Sequence, residues 1–326
     1  MSKRPNVVVL MSDQQRLDTV GCYGLNDICK TPNIDALAER GVRFDAAFTP
    51  TAICSPARAS FYTGLYPHKH GVTGNGLCIN KDVQGVNHYL NEVGYRCGYA
   101  GKWHVDEETG PSGYGFTGQD FMGYAFPGSG LLPGLQFGAK PHGHNPYADY
   151  LKERGFDPPP NVTNRYVGTN PSNQAQEMFA LHDGPVESCI EYFVAEEANR
   201  VLDEIATDDE PFFLWANFWG PHSPSLVPEP YFSMYDPKDI PEHPGYAETF
   251  ENKPYRQQLI EKLWGLGDYG WEGFQEIGAR YFGHCTLLDD MVGRVVSHLE
   301  KLGVLDNTII VYTADHGDCM GAHKLI

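Results

Sequence analysis

Basic residues are scarce in this chain of 326 residues. It carries 24 Lys and Arg against 42 Asp and Glu, which gives a formal net charge of −18 at pH 7. A chain this acidic lacks the positive surface that nucleic acids and anionic membrane faces attract, so we expect no partner of either kind. Apolar residues make up 41% of the chain, an ordinary share that excludes wholesale disorder.

Long apolar runs and closely spaced cysteines are also missing. The first apolar run, at 6–11, is too short for the core of a signal peptide. No stretch approaches the roughly 20 apolar residues of a membrane span. The eight cysteines are scattered without a C-x-x-C pair, which favours reduced thiols over a disulfide framework. We therefore expect a soluble globular protein of the cytoplasm.

Short, continuous apolar runs predict buried strands at Asn6–Met11, Pro211–Phe218 and Thr308–Thr313, with a weaker one at Arg96–Trp103. Continuous rather than alternating apolarity indicates strands covered on both faces, as in a mostly parallel sheet. The alternation of these runs with helical patterns predicts an α/β fold. The helical patterns extend from about Thr31 to Arg40 and over Val83–Glu92, Ile190–Ala206 and Ile277–Leu302.

Residues 110–171 interrupt this alternation. The segment holds 12 Gly and 9 Pro among its 62 residues, together with many aromatic side chains. Long irregular segments in compact proteins are usually functional loops or disorder, and the aromatic content favours a functional loop.

Two predicted strand ends carry similar polar residues. Asp13 and Gln14 follow the first apolar run, and Asp315 and His316 follow the last. Ligand sites gather outside the carboxyl ends of parallel strands, so these four side chains could meet one cation. Three oxygen ligands and one imidazole suit Ca²⁺, Mg²⁺ or Mn²⁺ better than a thiolate-seeking ion. Taken alone, either dipeptide is explained more simply as a strand end that starts a turn.

A cysteine and an arginine mark a third element, the sequence CSPAR at 54–58. We expect Ser55 and Pro56 to be the cap and the first helical residue, which puts Cys54 at a helix N-terminus, where anions bind. Arg58 lies four residues on, on the same side of the helix. A nucleophile beside an arginine suits attack on a sulfate or phosphate ester. The alternative is a buried structural cysteine.

Three further polar residues accompany these elements. Lys102 and His104 are two residues apart and would face the same side of a strand, where a cation and an acid–base group could meet a bound anion. His222 follows the apolar run at 211–218. Singly, Lys102 is as readily a surface charge, and His222 is as readily a turn histidine.

Together these segments resemble the sulfatase family of the alkaline phosphatase superfamily. CSPAR fits the family's C-x-P-x-R signature, within the longer similar segment CSPARASFYTGLYPHKHG at 54–71. The other similar segments are NVVVLMSDQQRLDTVGCYG at 6–24, GKWH at 101–104, GPHSP at 220–224 and TADHGDCMGAH at 313–323. The resemblance covers essentially the whole chain. It implies a large, mostly parallel central sheet with helices on both faces and the hydrolysis of a small organic sulfate ester to alcohol and sulfate.

The resemblance also implies a role for each polar residue. In the family a maturation enzyme converts the signature cysteine, here Cys54, to formylglycine, whose hydrate is the nucleophile. Arg58 and Lys102 would hold the sulfate group and the diol. His222 would protonate the leaving oxygen, and His104 would deprotonate the sulfated diol to expel sulfate. One divalent ion, Ca²⁺ with Mn²⁺ or Mg²⁺ as alternatives, would polarise a sulfate oxygen from a site formed by Asp13, Gln14, Asp315 and His316.

The chain departs from the common family pattern in two respects. Many sulfatases carry paired aspartates at the first metal segment and Asp-Asn at the second. This chain has Asp13-Gln14 and Asp315-His316, a variant that resembles choline-sulfatase-like and phosphonate-monoester-hydrolase-like members. Family members also usually continue with a lysine-containing segment and a smaller C-terminal sheet domain. We therefore expect residues 1–326 to be a catalytic domain truncated at its C-terminus, and we do not equate Lys324 with the family lysine.

Three alternatives stay open from the sequence. One is a phosphonate monoester or phosphodiester hydrolase of the same superfamily. The others are a non-catalytic homologue that binds sulfated ligands and a hydrolase that uses the unmodified thiol of Cys54. Two-zinc phosphatases match less well, because their D-x-x-x-H pair would need an aspartate where Phe218 stands, four residues before His222. Within the sulfatase interpretation, we expect residues 110–171 to form the wall that selects the organic part of the substrate.

Overall fold

The computed structural model of the chain describes residues 4–118, 146–157, 160–169, 175–207, 209–264 and 270–326. Its strands are β1 (Asn6–Asp13), β2 (Arg96–Gly101), β3 (Asn161–Thr169), β4 (Ala175–Asp183), β5 (Phe212–Pro221), β6 (Ser225–Pro228) and β7 (Thr308–Ala314). Its helices are α1 (Pro32–Glu39), α2 (Cys54–Thr63), α3 (Pro67–His70), α4 (Val86–Glu92), α5 (Pro146–Glu153), α6 (Ile190–Ile205), α7 (Tyr255–Trp264) and α8 (Gly270–Lys301). None of the helices in these ranges has the length and apolarity needed to cross a bilayer.

Four parallel strands form the main sheet, in the order β2-β5-β1-β7. Each of the four apolar runs in the sequence supplies one of these strands, so the predicted α/β fold with a parallel sheet is confirmed. Because the strands are parallel, their carboxyl ends lie along one edge of the sheet. Asp13, Pro221 and Ala314 end three neighbouring strands at this edge.

Continuous apolarity in β1 has a simple structural reason, since both of its faces are covered. Val8 and Leu10 belong to a core that also contains buried side chains of α6 and α8. Val9 and Met11 belong to a second core on the opposite face, which contains buried side chains of α2. Successive side chains of a strand point to opposite faces, so a strand between two cores needs apolar residues at every position.

β7 differs from this pattern, because it lies at the border of the sheet. Within the described ranges it pairs with β1 alone. Ile309 is 51% exposed and Val311 is 37% exposed. The expectation that this run is covered on both faces is therefore wrong for β7. Phe44 and Phe48, on the segment before α2, are also largely exposed.

A second, smaller sheet has the order β3-β4-β6, with β3 antiparallel and β6 parallel to β4. No pattern in the sequence indicated this sheet. Two regular elements, α5 and β3, lie inside the Gly- and Pro-rich segment 110–171 that we expected to be irregular. The part of that segment at 119–145 lies outside the described residues.

Candidate active site

The helix α2 begins at Cys54, two residues before Pro56, which the sequence indicated as its first residue. Ile53, in extended conformation, is the cap, and its carbonyl accepts the N–H of Ala57 at 3.0 Å. Ser55 is not the cap, because it lies inside the helix; Asn75 Oδ1 accepts its backbone N–H at 3.1 Å. This arrangement places the buried Cys54 side chain at the N-terminal end of the helix, where the partial positive charge of the helix favours an anion.

Arg58, one turn along α2, connects two strands of the main sheet. Its guanidinium donates to Asp13 Oδ2 at 2.9 Å and to Asp315 Oδ2 at 2.9 Å. It also donates to the backbone carbonyl of Lys102 at 3.2 Å. Arg58 is fully buried. Burial alone would lower the pKa of this guanidinium, but Asp315 and Asp13 outweigh burial and raise it. Arg58 is therefore a fixed positive charge.

Lys102 lies beyond the end of β2, and so does His104. The expectation that they share one face of a strand is wrong, because the backbone leaves the sheet at Gly101, where φ is +91°. The Lys102 ammonium nevertheless donates to Asp13 Oδ2, and it lies 4.7 Å from the centre of the Trp219 ring. The aromatic face adds a cation–π contact to the ion pair.

Asp13 is the common partner of Arg58 and Lys102. Burial would raise the pKa of its carboxyl group, but the charges of Lys102, His222, Arg58 and His316 outweigh it and hold that pKa well below the ordinary value. Asp13 is consequently a carboxylate. Its Oδ2 atom is occupied by Arg58 and Lys102, whereas Oδ1 lies 4.0 Å from His316 Nε2.

The donor atoms at this edge fit a single divalent ion. One atom from each of Asp13, Cys54, Asp315 and His316 can be chosen so that all lie within 4.8 Å of one another. His316 Nε2 lies 3.9 Å from Asp315 Oδ1. Two ligands, each about 2.4 Å from one Ca²⁺, cannot be separated by more than about 4.8 Å, so these spacings suit a common ion. The carboxylates are donors for Ca²⁺, Mn²⁺ or Mg²⁺, and the imidazole adds one nitrogen donor.

Gln14 lies beside this donor set in a constrained conformation. Its φ is +62°, and its backbone N–H donates to Asp315 Oδ1 at 3.0 Å. Its side-chain amide nitrogen donates to Asp318 Oδ2. The amide oxygen is therefore the atom of Gln14 that remains for a cation. Asp318 was not singled out from the sequence, although it stands in the DHGD sequence that also contributes Asp315 and His316.

The two remaining histidines have pKa shifts of opposite direction. His104 is 8% exposed, and burial, with Lys102 and Arg58 nearby, lowers its pKa well below the ordinary value. His222 is partly buried. Burial would lower its pKa, but interactions with Asp13 and Cys54 outweigh that effect and raise it. The structure thus brings together a neutral imidazole and one that holds its proton more tightly.

All nine polar residues selected from the sequence lie in this one region. They come from the ends of β1, β2, β5 and β7 and from the start of α2. Trp219, in β5, is an aromatic contact to the cluster that the sequence does not indicate. A tryptophan inside an apolar strand has no signal in the sequence that distinguishes it from an ordinary core residue.

Known proteins match the chain over almost its entire length. The family model described as Sulfatase matches residues 5–325. The chain belongs to the sulfatase family. Three of the similar proteins illustrate how this sulfatase-family chain relates to others.

The uncharacterized sulfatase YidJ of Escherichia coli is 30% identical over 332 residues, a match that covers 99% of this chain and 59% of that protein. An arylsulfatase of Clostridium perfringens is 29% identical, covering 98% of this chain and 64% of its own length. The crystal structure of a phosphonate monoester hydrolase of Agrobacterium radiobacter has a TM-score of 0.74 at 26% identity and covers 98% of this chain. The match includes 64% of the hydrolase, so the sulfatase-family chain spans about three fifths of these relatives. The expected alkaline-phosphatase-like sulfatase fold is confirmed.

Proposed function

We propose that this sulfatase-family chain carries the catalytic site of a metal-dependent hydrolase that cleaves an organic sulfate ester to alcohol and sulfate. The observation that carries the proposal is the position of Cys54. It stands at the start of α2, with the fixed positive charge of Arg58 one turn away and the Lys102 ammonium paired with the same carboxylate, Asp13. A relative from Clostridium perfringens is an arylsulfatase, which supports the same reaction class.

The sulfate group of the substrate is bound by positive charge in this proposal. Arg58 and Lys102 carry that charge, and because Asp13 holds both, they need little reorganisation when an anion arrives. Cys54, converted to formylglycine and hydrated by one water molecule to a diol, would supply the hydroxyl that attacks sulfur.

Two histidines would move the protons. His222 would donate a proton to the oxygen of the departing alcohol, and the raised pKa of its imidazole agrees with that role. His104 would accept a proton from the nucleophile's second hydroxyl as sulfate leaves, and its lowered pKa agrees with a neutral base. One water molecule is consumed, so the net products are the alcohol and hydrogen sulfate.

A divalent ion would be held by Asp13, Gln14, Asp315 and His316. Such an ion supplies Lewis acidity, which withdraws charge from a sulfate oxygen. We propose Ca²⁺, with Mn²⁺ or Mg²⁺ as alternatives, because the donors are mainly oxygen atoms. Metal content measured after purification, and activity restored to chelated protein by each ion in turn, would identify the ion.

The second candidate function is hydrolysis of phosphonate monoesters or phosphodiesters. The similarity to the Agrobacterium radiobacter phosphonate monoester hydrolase favours it. The same nucleophile, arginine and donor set would serve attack at phosphorus. Parallel assays with an aryl sulfate and an aryl phosphonate monoester would decide between the two by the ratio of their kcat/KM values.

Residues 110–171 are our proposal for the wall that selects the organic part of the substrate. Exchange of this segment for that of a relative should change substrate preference and leave metal content intact. Unchanged preference would contradict the assignment.

The cytoplasm is the compartment that we propose. All eight cysteines lie in the described part of the chain and are free, as a reducing compartment requires. A fusion to a reporter that is active only in the cytoplasm would test this assignment.

The decisive experiment follows the fate of Cys54. The protein would be produced together with a formylglycine-generating enzyme, the maturation partner that we propose, and the tryptic peptide Phe44–Arg58 would be weighed by mass spectrometry. We expect loss of sulfur at Cys54, a trappable aldehyde and sulfate release from an aryl sulfate. Cys54→Ala, purified in the same way, provides the control and should release none. An intact thiol beside an active maturation enzyme would contradict the formylglycine mechanism.

A further inference from the structure

Two ionisable side chains outside the proposed catalytic set converge behind the turn that carries His222. Glu191 lies in the first turn of α6, and His284 lies near the middle of α8. Both side chains are completely buried, with 0% exposure. The mechanism proposed above uses neither of them.

Both side chains contact Gly220, two residues before His222. Glu191 Oε1 accepts the backbone N–H of Gly220 at 3.0 Å. His284 Nε2 lies 3.2 Å from the same oxygen, which is within ion-pair distance but without the alignment of a hydrogen bond. The imidazole ring also packs directly on the glycine, because a Cβ atom added at Gly220 would lie only 2.1 Å from Nε2. The pair therefore fixes the backbone of the turn and leaves no room for a side chain there.

The opposite side of the turn is fixed by the sheet. Asp13 of β1 pairs in register with Pro221 of β5, after an irregularity in the ladder between Met11 and Asp13. The backbone that leads into His222 is thus held by β1 on one side and by Glu191 with His284 on the other.

Stability alone does not account for a carboxylate and an imidazole at these positions. Burying polar side chains without a full set of hydrogen bonds is unfavourable, and apolar side chains of similar volume avoid that cost. Glu191 Oε2 and His284 Nδ1 have no hydrogen-bond partner in the described structure, so the desolvation is only partly compensated. The specific contact is the one to Gly220.

We propose that Glu191 and His284 are positioning residues that hold the Gly220-Pro221-His222 turn, so that His222 can protonate the leaving oxygen. The inference rests on the proposed function, because it assigns His222 the role of proton donor. Neither residue touches the substrate; they act through the backbone of Gly220.

The test exploits the difference between good and poor leaving groups. Glu191→Met removes the acceptor at nearly constant volume, and Glu191→Gln retains a carbonyl oxygen for the Gly220 N–H. The exposed Glu204, also on α6, provides the matched control Glu204→Gln. Steady-state kinetics would be measured on matured, metal-loaded protein with a series of aryl sulfates whose phenols differ in pKa.

For Glu191→Met we expect a loss of kcat/KM of about 100-fold with the most basic phenol, the lower end for removal of a general acid. The loss should shrink to a few-fold with the most acidic phenol, which leaves without a proton. Glu191→Gln and Glu204→Gln should stay close to the unsubstituted protein across the series. An equal loss at every leaving group, or no loss, would overturn the positioning role.

If Glu191→Met does not fold, His284→Gln tests the same turn. It removes the ring from Gly220, keeps a polar partner for Glu191, and should produce the same leaving-group-dependent loss.

Failure of the proposed function gives a different result, because the unsubstituted protein would then release no sulfate from any ester. In that case crystal structures of Glu191→Met and Glu191→Gln decide the inference. The His222 ring should be displaced in the first and unmoved in the second, and an unmoved ring in both would overturn it.

Discussion

Cys54 Sγ lies 3.1 Å from His316 Nε2, so the proposed nucleophile lies directly beside a proposed cation ligand. Cys54 Sγ is also 3.7 Å from Asp13 Oδ1. In the unconverted chain, the thiol is therefore close enough to the donor set to become a metal ligand itself.

This proximity predicts a metal preference that depends on maturation. A thiolate is a soft ligand that favours Zn²⁺, whereas the carboxylates favour hard cations. Unconverted protein should bind Zn²⁺ at least about tenfold more tightly than Cys54→Ser, because the substitution removes that soft ligand. The affinity for Ca²⁺ should change much less. Competition with a chromogenic zinc chelator would measure the difference, and equal zinc affinities would contradict the prediction.

Arg58 should be important for stability as well as for anion binding. Arg58→Met leaves the buried carboxylates of Asp13 and Asp315 with less compensation, and loss of one partner from a buried ion pair costs about 3–5 kcal/mol. Arg200→Met is the matched control, because Arg200 is 43% exposed and its ion pairs lie on the surface of α6. The control should change the free energy of unfolding by less than about 1 kcal/mol. Urea unfolding at pH 7 would measure both, and similar losses would contradict the argument.

Gly101 should tolerate alanine far less well than Gly64. Both have a left-handed backbone, with φ of +91° and +70°. A Cβ atom at Gly101 would lie 1.9 Å from the carbonyl oxygen of Asn217, whereas one at Gly64 would meet nothing within 4 Å. Gly64→Ala should therefore cost about 1 kcal/mol of backbone strain, and Gly101→Ala at least about 2 kcal/mol more. Thermal unfolding of the two variants would show the difference, and equal melting temperatures would show that β2 yields to the added methyl group.

His182 should make the protein less stable in mild acid. Burial lowers its pKa from 6.5 to about 4, and its Nε2 lies 2.8 Å from Ser188 Oγ. The folded state binds fewer protons here than the unfolded state, so its contribution is complete above about pH 6.5 and is lost as the pH falls towards 4. The loss is at most about 3 kcal/mol. Urea unfolding between pH 7 and 4 should therefore be less pH-dependent for His182→Gln; an identical slope would contradict the assignment.

The sequence predicts the main sheet well and the small sheet not at all, for a physical reason. Val7–Met11 of β1 lie between two cores and are apolar at each position, so this run reveals the strand. β3 and β6 carry no such run; β6 has four residues, and β3 follows a Pro-rich stretch. The first turns of α8 were also missed: the helix starts at Gly270, seven residues before the predicted start at Ile277.

The residues of the candidate site were predictable where charged and polar side chains stand close together in short, recognisable sequences. Asp13, Arg58 and Asp315 stand in recognisable sequences, and the parallel sheet explains why they meet. The contacts that other parts of the chain make to the site were not predictable. Trp219 beneath Lys102, and Glu191 behind Gly220, depend on which distant elements pack together.

Asp13 and Asp315, the two aspartates of the candidate site, lie at the ends of strands that we expect to differ in local stability. Asp13 belongs to β1, which is bonded on both sides, whereas Asp315 follows β7, which has one described neighbour. Border strands open more readily than interior ones, so amide hydrogen exchange should be faster in β7 than in β1. Each opening would carry Asp315 and His316 away while Asp13 stayed with Lys102. A cation bound between the two strands would slow that exchange, and the protection of β7 amides would then report occupancy of the site without any substrate.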